Sequence, residues 1–168
     1  MAAEDVLKNI NLFVDGRGYA GKVSEFTEPK LTLQEEDYRA GGMDLPIGIT
    51  MGMEKLTADF TLMTYDRAVM ALWGVKQGNG VAFTLLKALE DLDGNVTQVK
   101  HNMRGKISEI DSGTSKPGEL PSLKLTLSLT YYKMTHGGQV VHEIDAERMI
   151  RVVNGTDMLA AIRAALQM

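Results

Sequence analysis

Apolar and polar positions alternate with a period of two over much of the chain, the signature of half-buried β-strands. The cleanest case is Leu123, Leu125, Leu127, Leu129 and Tyr131, interleaved with Lys124, Thr126, Ser128, Thr130 and Tyr132. The leucine face belongs in a core, and the hydroxyl face is free to meet water or another subunit. Between Met53 and Met63, Leu56, Ala58, Phe60 and Leu62 share one face, opposite Lys55, Thr57, Asp59 and Thr61. Val96 to Ile110 reads as a long strand with Val99, His101, Met103, Gly105 and Ile107 on one parity. Gly105 in the middle of that run predicts a bulge or a close backbone approach.

Turn chemistry separates these runs. Asn11 to Val14 leads into Asp15-Gly16-Arg17-Gly18, a hairpin turn, and Tyr19 to Phe26 reads as the return strand until Pro29 interrupts it. Asp93-Gly94-Asn95 joins a strand from Val81 to Leu92 to the next, and His136-Gly137-Gly138 leads into a strand from Gln139 to Ile144. Asp111 to Ser122, with Gly113, Pro117, Gly118 and Pro121, is a loop. Leu31 and Leu33 suggest a short strand, whereas Gln34 to Asp44 shows no sustained period and reads as a solvated loop.

Two segments change period. Thr64 or Tyr65 to Trp73, with Asp66 at its start and Gly74 at its end, predicts a short helix laid on a sheet. Near the C-terminus Leu159, Ile162 and Leu166 recur at helical spacing, with Thr156 or Asp157 as the expected cap. The expected fold is mainly β: an antiparallel β-sandwich or barrel with one or two short packed α-helices, in a single domain spanning 1–168.

Composition narrows the function classes. With 22 Asp+Glu against 18 Lys+Arg, the formal net charge is -4, so the chain is not built to wrap nucleic acid. It has no cysteine, which removes disulfides, thiolate metal sites and cysteine nucleophiles together. The start, Met1 to Asp5, lacks the basic and apolar regions of a signal peptide, and no apolar run approaches the length of a membrane helix, so synthesis in the cytoplasm without membrane insertion is expected.

No catalytic motif is present, and no cofactor or metal is expected. His136 and His142 with Glu143 and Asp145 form a nominal metal cluster, and a small hydrolase using this area is the enzyme alternative. Alternation along a strand would separate those ligands, so surface or interface polar groups fit them better. His101, on an apolar parity, reads as a hydrogen-bonded core or interface side chain. Glu35, Glu36 and Asp37 are adjacent acids without the opposed geometry that paired-carboxylate chemistry needs, and read as a solvated or intersubunit charge cluster. Long sheet edges with no site between them suit subunits that join edge to edge, although an ordinary β domain or a binding module has the same pattern.

Several short strings, in order, decide among these. They are Asn11-Leu12-Phe13-Val14-Asp15-Gly16, Pro29-Lys30-Leu31, Tyr38-Arg39-Ala40-Gly41-Gly42-Met43-Asp44 and Met51-Gly52-Met53-Glu54. Later come Arg104-Gly105, Lys116-Pro117-Gly118-Glu119, Tyr131-Tyr132-Lys133, Glu143-Ile144-Asp145, and Val153-Asn154-Gly155 followed by Asp157. The chain resembles the major tail tube protein family of contractile-tailed, P2-type phages, which includes the tubes of R-type pyocins.

The resemblance implies a non-enzymatic subunit of the inner tail tube. Hexameric rings would stack around a channel, with a continuous inner β-barrel, and the type VI secretion tube would be a structural cousin. Implied partners are further copies of the chain, the tail sheath, and the baseplate or tube initiator, tape-measure and tail terminator proteins, with transient passage of phage DNA. The place of action would be a virion tail or a capsidless tail-like particle; a pyocin-like or type VI-like apparatus is the alternative. Residues 34–52 become an assembly loop, carried by Glu35, Glu36, Asp37, Tyr38, Arg39, Gly41, Gly42, Met43 and Asp44, whose charges would meet Lys or Arg across the stack. The channel face is expected to be hydrophilic and net acidic, so that DNA slides without sticking, and Thr126, Ser128 and Thr130 are candidates for a lumen or intersubunit sheet face.

Overall fold

Clean alternation becomes strand in the computed structural model, which describes residues 3–168; Met1 and Ala2, at the start of the segment read above for targeting, lie outside them. Ten strands form one antiparallel sheet. They are β1 (Val6–Val14), β2 (Arg17–Gly18), β3 (Val23–Thr27), β6 (Leu56–Leu62), β7 (Val81–Glu90), β8 (Val96–Asp111), β9 (Leu123–His136), β10 (Gln139–Asp145), β11 (Ile150–Val153) and β12 (Thr156–Asp157). Two more, β4 (Leu33–Tyr38) and β5 (Ile47–Met53), make a separate two-stranded sheet. Short helices α1 (Arg67–Met70) and α2 (Ala160–Ala165) complete the chain.

The main sheet runs β12-β11-β10-β9-β8-β7-β1-β2, and β9 branches. One edge of β9 pairs with β6 along Leu123 to Leu129 and with β10 along Tyr131 to His136. Because β6 also carries β3, the path β3-β6-β9-β8-β7-β1 curls until its two end strands, β3 and β1, come into contact. Six strands thus wrap one core as a partly closed barrel.

That core is made by the predicted parities. Leu56, Ala58, Phe60 and Leu62 are buried from β6, and Leu123, Leu125, Leu127 and Leu129 from β9. Phe60 stacks on Phe26 at 6.1 Å and tilts against Phe83 at 6.3 Å. Each such side chain, fully buried, contributes roughly 1.5–3 kcal/mol.

In β9 the alternation breaks. Gly105 of β8 faces Leu129 and Arg104 faces Tyr131, so Thr130 has no counterpart and bulges out. The parity slips by one residue: Tyr132, not Tyr131, is buried, at 3% exposure. The return strand expected from Tyr19 is also shorter. The Lys22 amide bonds to the Tyr19 carbonyl at 3.0 Å in a turn, and β3 begins only at Val23, pairing with β6 instead of β1.

The first helix has one turn. Its N-cap, Asp66, accepts from the amides of Ala68 and Val69 at 2.9 and 3.2 Å, and Val69 is the side chain it buries. At α2 the expected cap differs. Asp157 lies in β12, takes the Leu159 amide at 3.0 Å and is hydrogen-bonded to Arg163, while Leu159 holds the N-cap position with no side-chain bond. The Arg163 guanidinium holds the Asp157 carboxyl below its ordinary range and ties the helix back to the sheet.

Candidate assembly surface

The segment from Leu33 to Met53 is a hairpin arm, not a loop. Strand β4 pairs with β5 through Glu35↔Thr50, Glu36↔Ile49, Asp37↔Gly48 and Tyr38↔Ile47. Directly opposed residues share a face, so Tyr38, Ile47, Glu36 and Ile49 lie on one side, and Glu35, Asp37, Gly48 and Thr50 on the other. One side is mainly apolar and the other acidic. Both are exposed along their length: Tyr38 and Ile47 are each 50% exposed, and Ile49 is 44%. A cluster of large apolar side chains left in water marks a contact surface. The sequence hid the strand because the acidic face masks the alternation: Glu36 sits between positions that an isolated amphipathic strand would leave polar.

The arm's tip, residues 39–46, is closed by local bonds. The Arg39 Nε donates to the Met43 carbonyl at 3.1 Å, and the Met43 amide to the Ala40 carbonyl at 3.2 Å. Gly42 has φ +87 and Gly41 does not share that left-handed conformation; a Cβ at either would meet open space. A side chain at Gly42 therefore costs backbone strain alone, about 1–2 kcal/mol. Gly42→Val should lower the yield of sedimentable assemblies while Gly41→Val leaves it near wild type, with the free Gly42→Val subunit still folded and melting roughly 2–8 °C lower. Equal yields from the two variants would show that the tip's shape is irrelevant to assembly.

The stem of the arm is fastened to the barrel. Glu28 accepts a bond from Lys87 Nζ of β7 at 2.6 Å and stands 3.8 Å from Nε2 of buried His101. The other imidazole nitrogen of His101, Nδ1, is 2.9 Å from the Tyr132 hydroxyl. His101 is thus the hydrogen-bonded core side chain that its parity suggested. Burial pushes its pKa below the ordinary 6.5, with Glu28 opposing in part. Burial likewise raises the Tyr132 phenol to about 12.

The sign of the His101 shift gives a pH dependence. Because its folded pKa is depressed, the neutral form is favoured by folding, and the associated stability is present above 6.5 and lost as pH falls below it. The urea midpoint should therefore decline as pH falls from about 7 to about 5. His101→Gln, which keeps a partner for Tyr132, should flatten that decline. A wild-type midpoint constant over the range would mean that His101 does not titrate against burial.

Thr126, Ser128 and Thr130 are half-buried and lie on the face turned away from the core. That face continues across the sheet as rows of opposed residues. Asn102, Lys133 and Glu143 form one row, and Arg104, Tyr131 and Asp145 the next. The Tyr131 hydroxyl donates to Glu143 at 3.1 Å, and burial followed by this bond raises its pKa to about 12. Ser128 and Thr130 open onto a polar cleft of about 530 Å³ that also holds Lys55, Lys76, Arg104 and Lys106. Sequence reasoning missed these cations because they come from three separated segments.

The nominal metal residues separate as alternation requires. His142 pairs with Met134 and follows the inward parity of Ile144, whereas Glu143 and Asp145 take the opposite face. Among the described residues no group of three or more His, Asp or Glu is placed to hold a metal ion. No helix among them is long and apolar enough to cross a membrane.

The comparisons agree with this architecture. The family model described as phage tail tube protein FII matches residues 4–166. The tail tube protein of Escherichia phage P2 is 33% identical over 165 residues, covering 95% of each chain. The major tail tube protein of Serratia phage KSP20 is 28% identical over 159 residues, covering 94% of this chain and 92% of that one. Among solved structures, a chain of the sheath–tube complex of an extracellular contractile injection system (PVC, extended state) superposes with a TM-score of 0.58 at 10% identity, over 76% of this chain and 88% of that one; it shares the fold. With the family model matched over almost the whole sequence, the chain belongs to the phage tail tube protein FII family.

Proposed function

We propose that this chain, acting as one unit over residues 1–168, builds hexameric rings that stack into the inner tube of a contractile phage tail. Membership of the family makes it a structural tube subunit and not an enzyme. The observation that carries the ring-and-stack reading is the hairpin arm, whose two faces are both exposed in the single chain. Such a surface is a liability in a monomer and an asset in a polymer.

Edge pairing supports the same reading. Strand β2 covers only Phe13 and Val14 of β1, which leaves most of the outer edge of β1 open, and at the far end two-residue β12 leaves part of β11 open. Joining such edges around a ring makes a closed barrel and removes them.

The tube lies inside a sheath, and its ends meet the baseplate or tube initiator and the tail terminator, with the tape-measure protein inside during assembly. DNA passes transiently through the channel. The row of Asn102, Lys133 and Glu143 on the outward sheet face suits that passage, since Lys133 stands opposite Glu143 and neither sign dominates there. Thr126, Ser128 and Thr130 contribute neutral hydroxyls to a lumen or intersubunit sheet face.

Electron microscopy of the purified protein should show rings and tubes of uniform width. A species that stays monomeric at every concentration, even with sheath and baseplate proteins added, refutes the reading.

A further inference from the structure

The polar cleft that takes in Ser128 and Thr130 is electrostatically one-sided. Lys55, Lys76, Arg104, Lys106 and Arg148 line it against two carboxylates, Asp145 and Glu147. Asp145 already has a cation, Arg148, at 3.8 Å, and Lys106 bonds to neutral Gln77 at 3.0 Å. Among the described residues Lys55, Lys76 and Arg104 have no acidic partner within salt-bridge distance. This excess of positive charge stands out on a chain whose net charge is -4.

Next to it lies a second cleft of about 650 Å³ with a different lining. Met51, Met53, Leu129, Met149, Ile150 and Ile162 make it apolar, and Lys55 and Asp145 border both clefts. Ile162 and Met51 at its rim are more than half exposed, at 51% and 58%. A basic trough beside an apolar one complements a strand pair with one acidic and one apolar face when the pair enters edge-on between the two linings.

The chain carries such an element. On the arm, Glu35 and Asp37 lie on one face, and Tyr38, Ile47 and Ile49 lie on the other together with Glu36. None of the three acids has an ion-pair partner among the described residues. We propose that the arm of one copy seats in the paired clefts of a second copy, with Glu35 and Asp37 against Arg104 and Lys106 and the apolar face against the Met51–Ile162 trough.

Met51 and Met53, at the base of β5, line the trough of their own copy, whereas Glu35, Asp37, Tyr38, Ile47 and Ile49 dock on another, so donor and acceptor differ and the contact is head-to-tail. A contact of that kind propagates instead of closing on itself as a two-fold dimer does. Opposed charges fix the register of the docked arm, and burial of the apolar face holds it. The inference rests on the tube reading and assigns the receptor for its arm.

The test is charge reversal on each side, followed by both together, in the full-length chain. Arg104→Glu with Lys106→Glu should cut sedimentable tube roughly tenfold or more at about 0.1 M salt, and Glu35→Lys with Asp37→Lys should do the same. Combining all four substitutions should restore tubes visible by electron microscopy. Lys76→Glu, placed outside the strands, serves where the β8 variant fails to fold, and each variant's melting temperature reports on folding.

Wild-type tubes with undiminished assembly of folded cleft variants, or no rescue in the combined variant, overturn the docking alone. If the cleft variants assemble normally but lose binding of a fluorescent DNA duplex, the cleft serves nucleic acid and the docking is likewise overturned. Absence of tubes from the wild-type protein overturns the tube reading itself, and this inference with it.

Discussion

Gly105→Ala should unfold or severely destabilise the subunit, although it adds a single methyl group. A Cβ built at Gly105 overlaps the Ser128 carbonyl oxygen and lies 2.8 Å from the Leu129 Cα. Both are backbone atoms of the paired strand, so no side-chain rotation relieves the clash. Strands β8 and β9 would have to part at the bulge around Thr130, beside the fully buried Leu127 and Ile107. Overpacking commonly costs 1–3 kcal/mol, and a clash with fixed backbone belongs at about 3 kcal/mol or above. For a chain of this length that corresponds to a fall in melting temperature of roughly 6–12 °C. Thermal unfolding of the soluble variant measures it; a change of under about 2 °C would mean that the strands are not so close.

The second large effect concerns assembly and should leave the fold intact. Ile47→Asp with Ile49→Asp puts two carboxylates on the arm's apolar face, beside Glu36. Because both isoleucines are about half exposed in the single chain, the two substitutions together should change the free subunit's stability by only about 1 kcal/mol. Any contact that buries this face loses its apolar gain and acquires charges to desolvate. Every subunit in a polymer carries the defect, so a loss of about 1.4 kcal/mol per contact already means a tenfold weaker contact throughout. Sedimentation should show tube mass falling by that factor or more while circular dichroism of the subunit stays unchanged. Tubes in normal yield would remove the apolar face from the assembly.

Legibility followed the local physics. Strands buried on one face, such as β6 and the first half of β9, were plain because water and core enforce a strict period of two. Gly105 announced its close approach by interrupting such a run. The one-residue slip from Tyr131 to Tyr132 was not visible, because it depends on how β8 and β9 register at the bulge, which is a property of two strands. Strand β11 was overlooked although Ile150-Arg151-Val152-Val153 is rich in β-branched residues; its brevity after the turn at Met149 gave no period to count.

The arm was missed for the opposite reason. Its burial is not completed within one chain, so selection for a solvated acidic side and an apolar side yields a string that resembles neither a core strand nor a plain loop. The family strings marked its tip, Tyr38 to Asp44, yet carried no information about the pairing of β4 with β5. The basic cleft was invisible too: Lys55, Lys76 and Arg104 come together only when β6, the segment after α1 and β8 are folded.

The branching of β9 has a consequence for the order of events during synthesis. Strands β7 to β10 follow one another as neighbours and can pair as soon as each emerges from the ribosome. Strands β1 and β6 can at first make only their short pairings with β2 and β3, because their longer partners β7 and β9 are encoded later. The N-terminal third therefore holds only these local pairings and its β4–β5 hairpin through the translation of β7 to β9, at on the order of 5–20 residues per second, before it can join the main sheet. The arm lies within that waiting third, between β3 and β6. Its stem becomes fixed only when the barrel closes, so the sticky hairpin is presented last, by subunits whose cores are already finished.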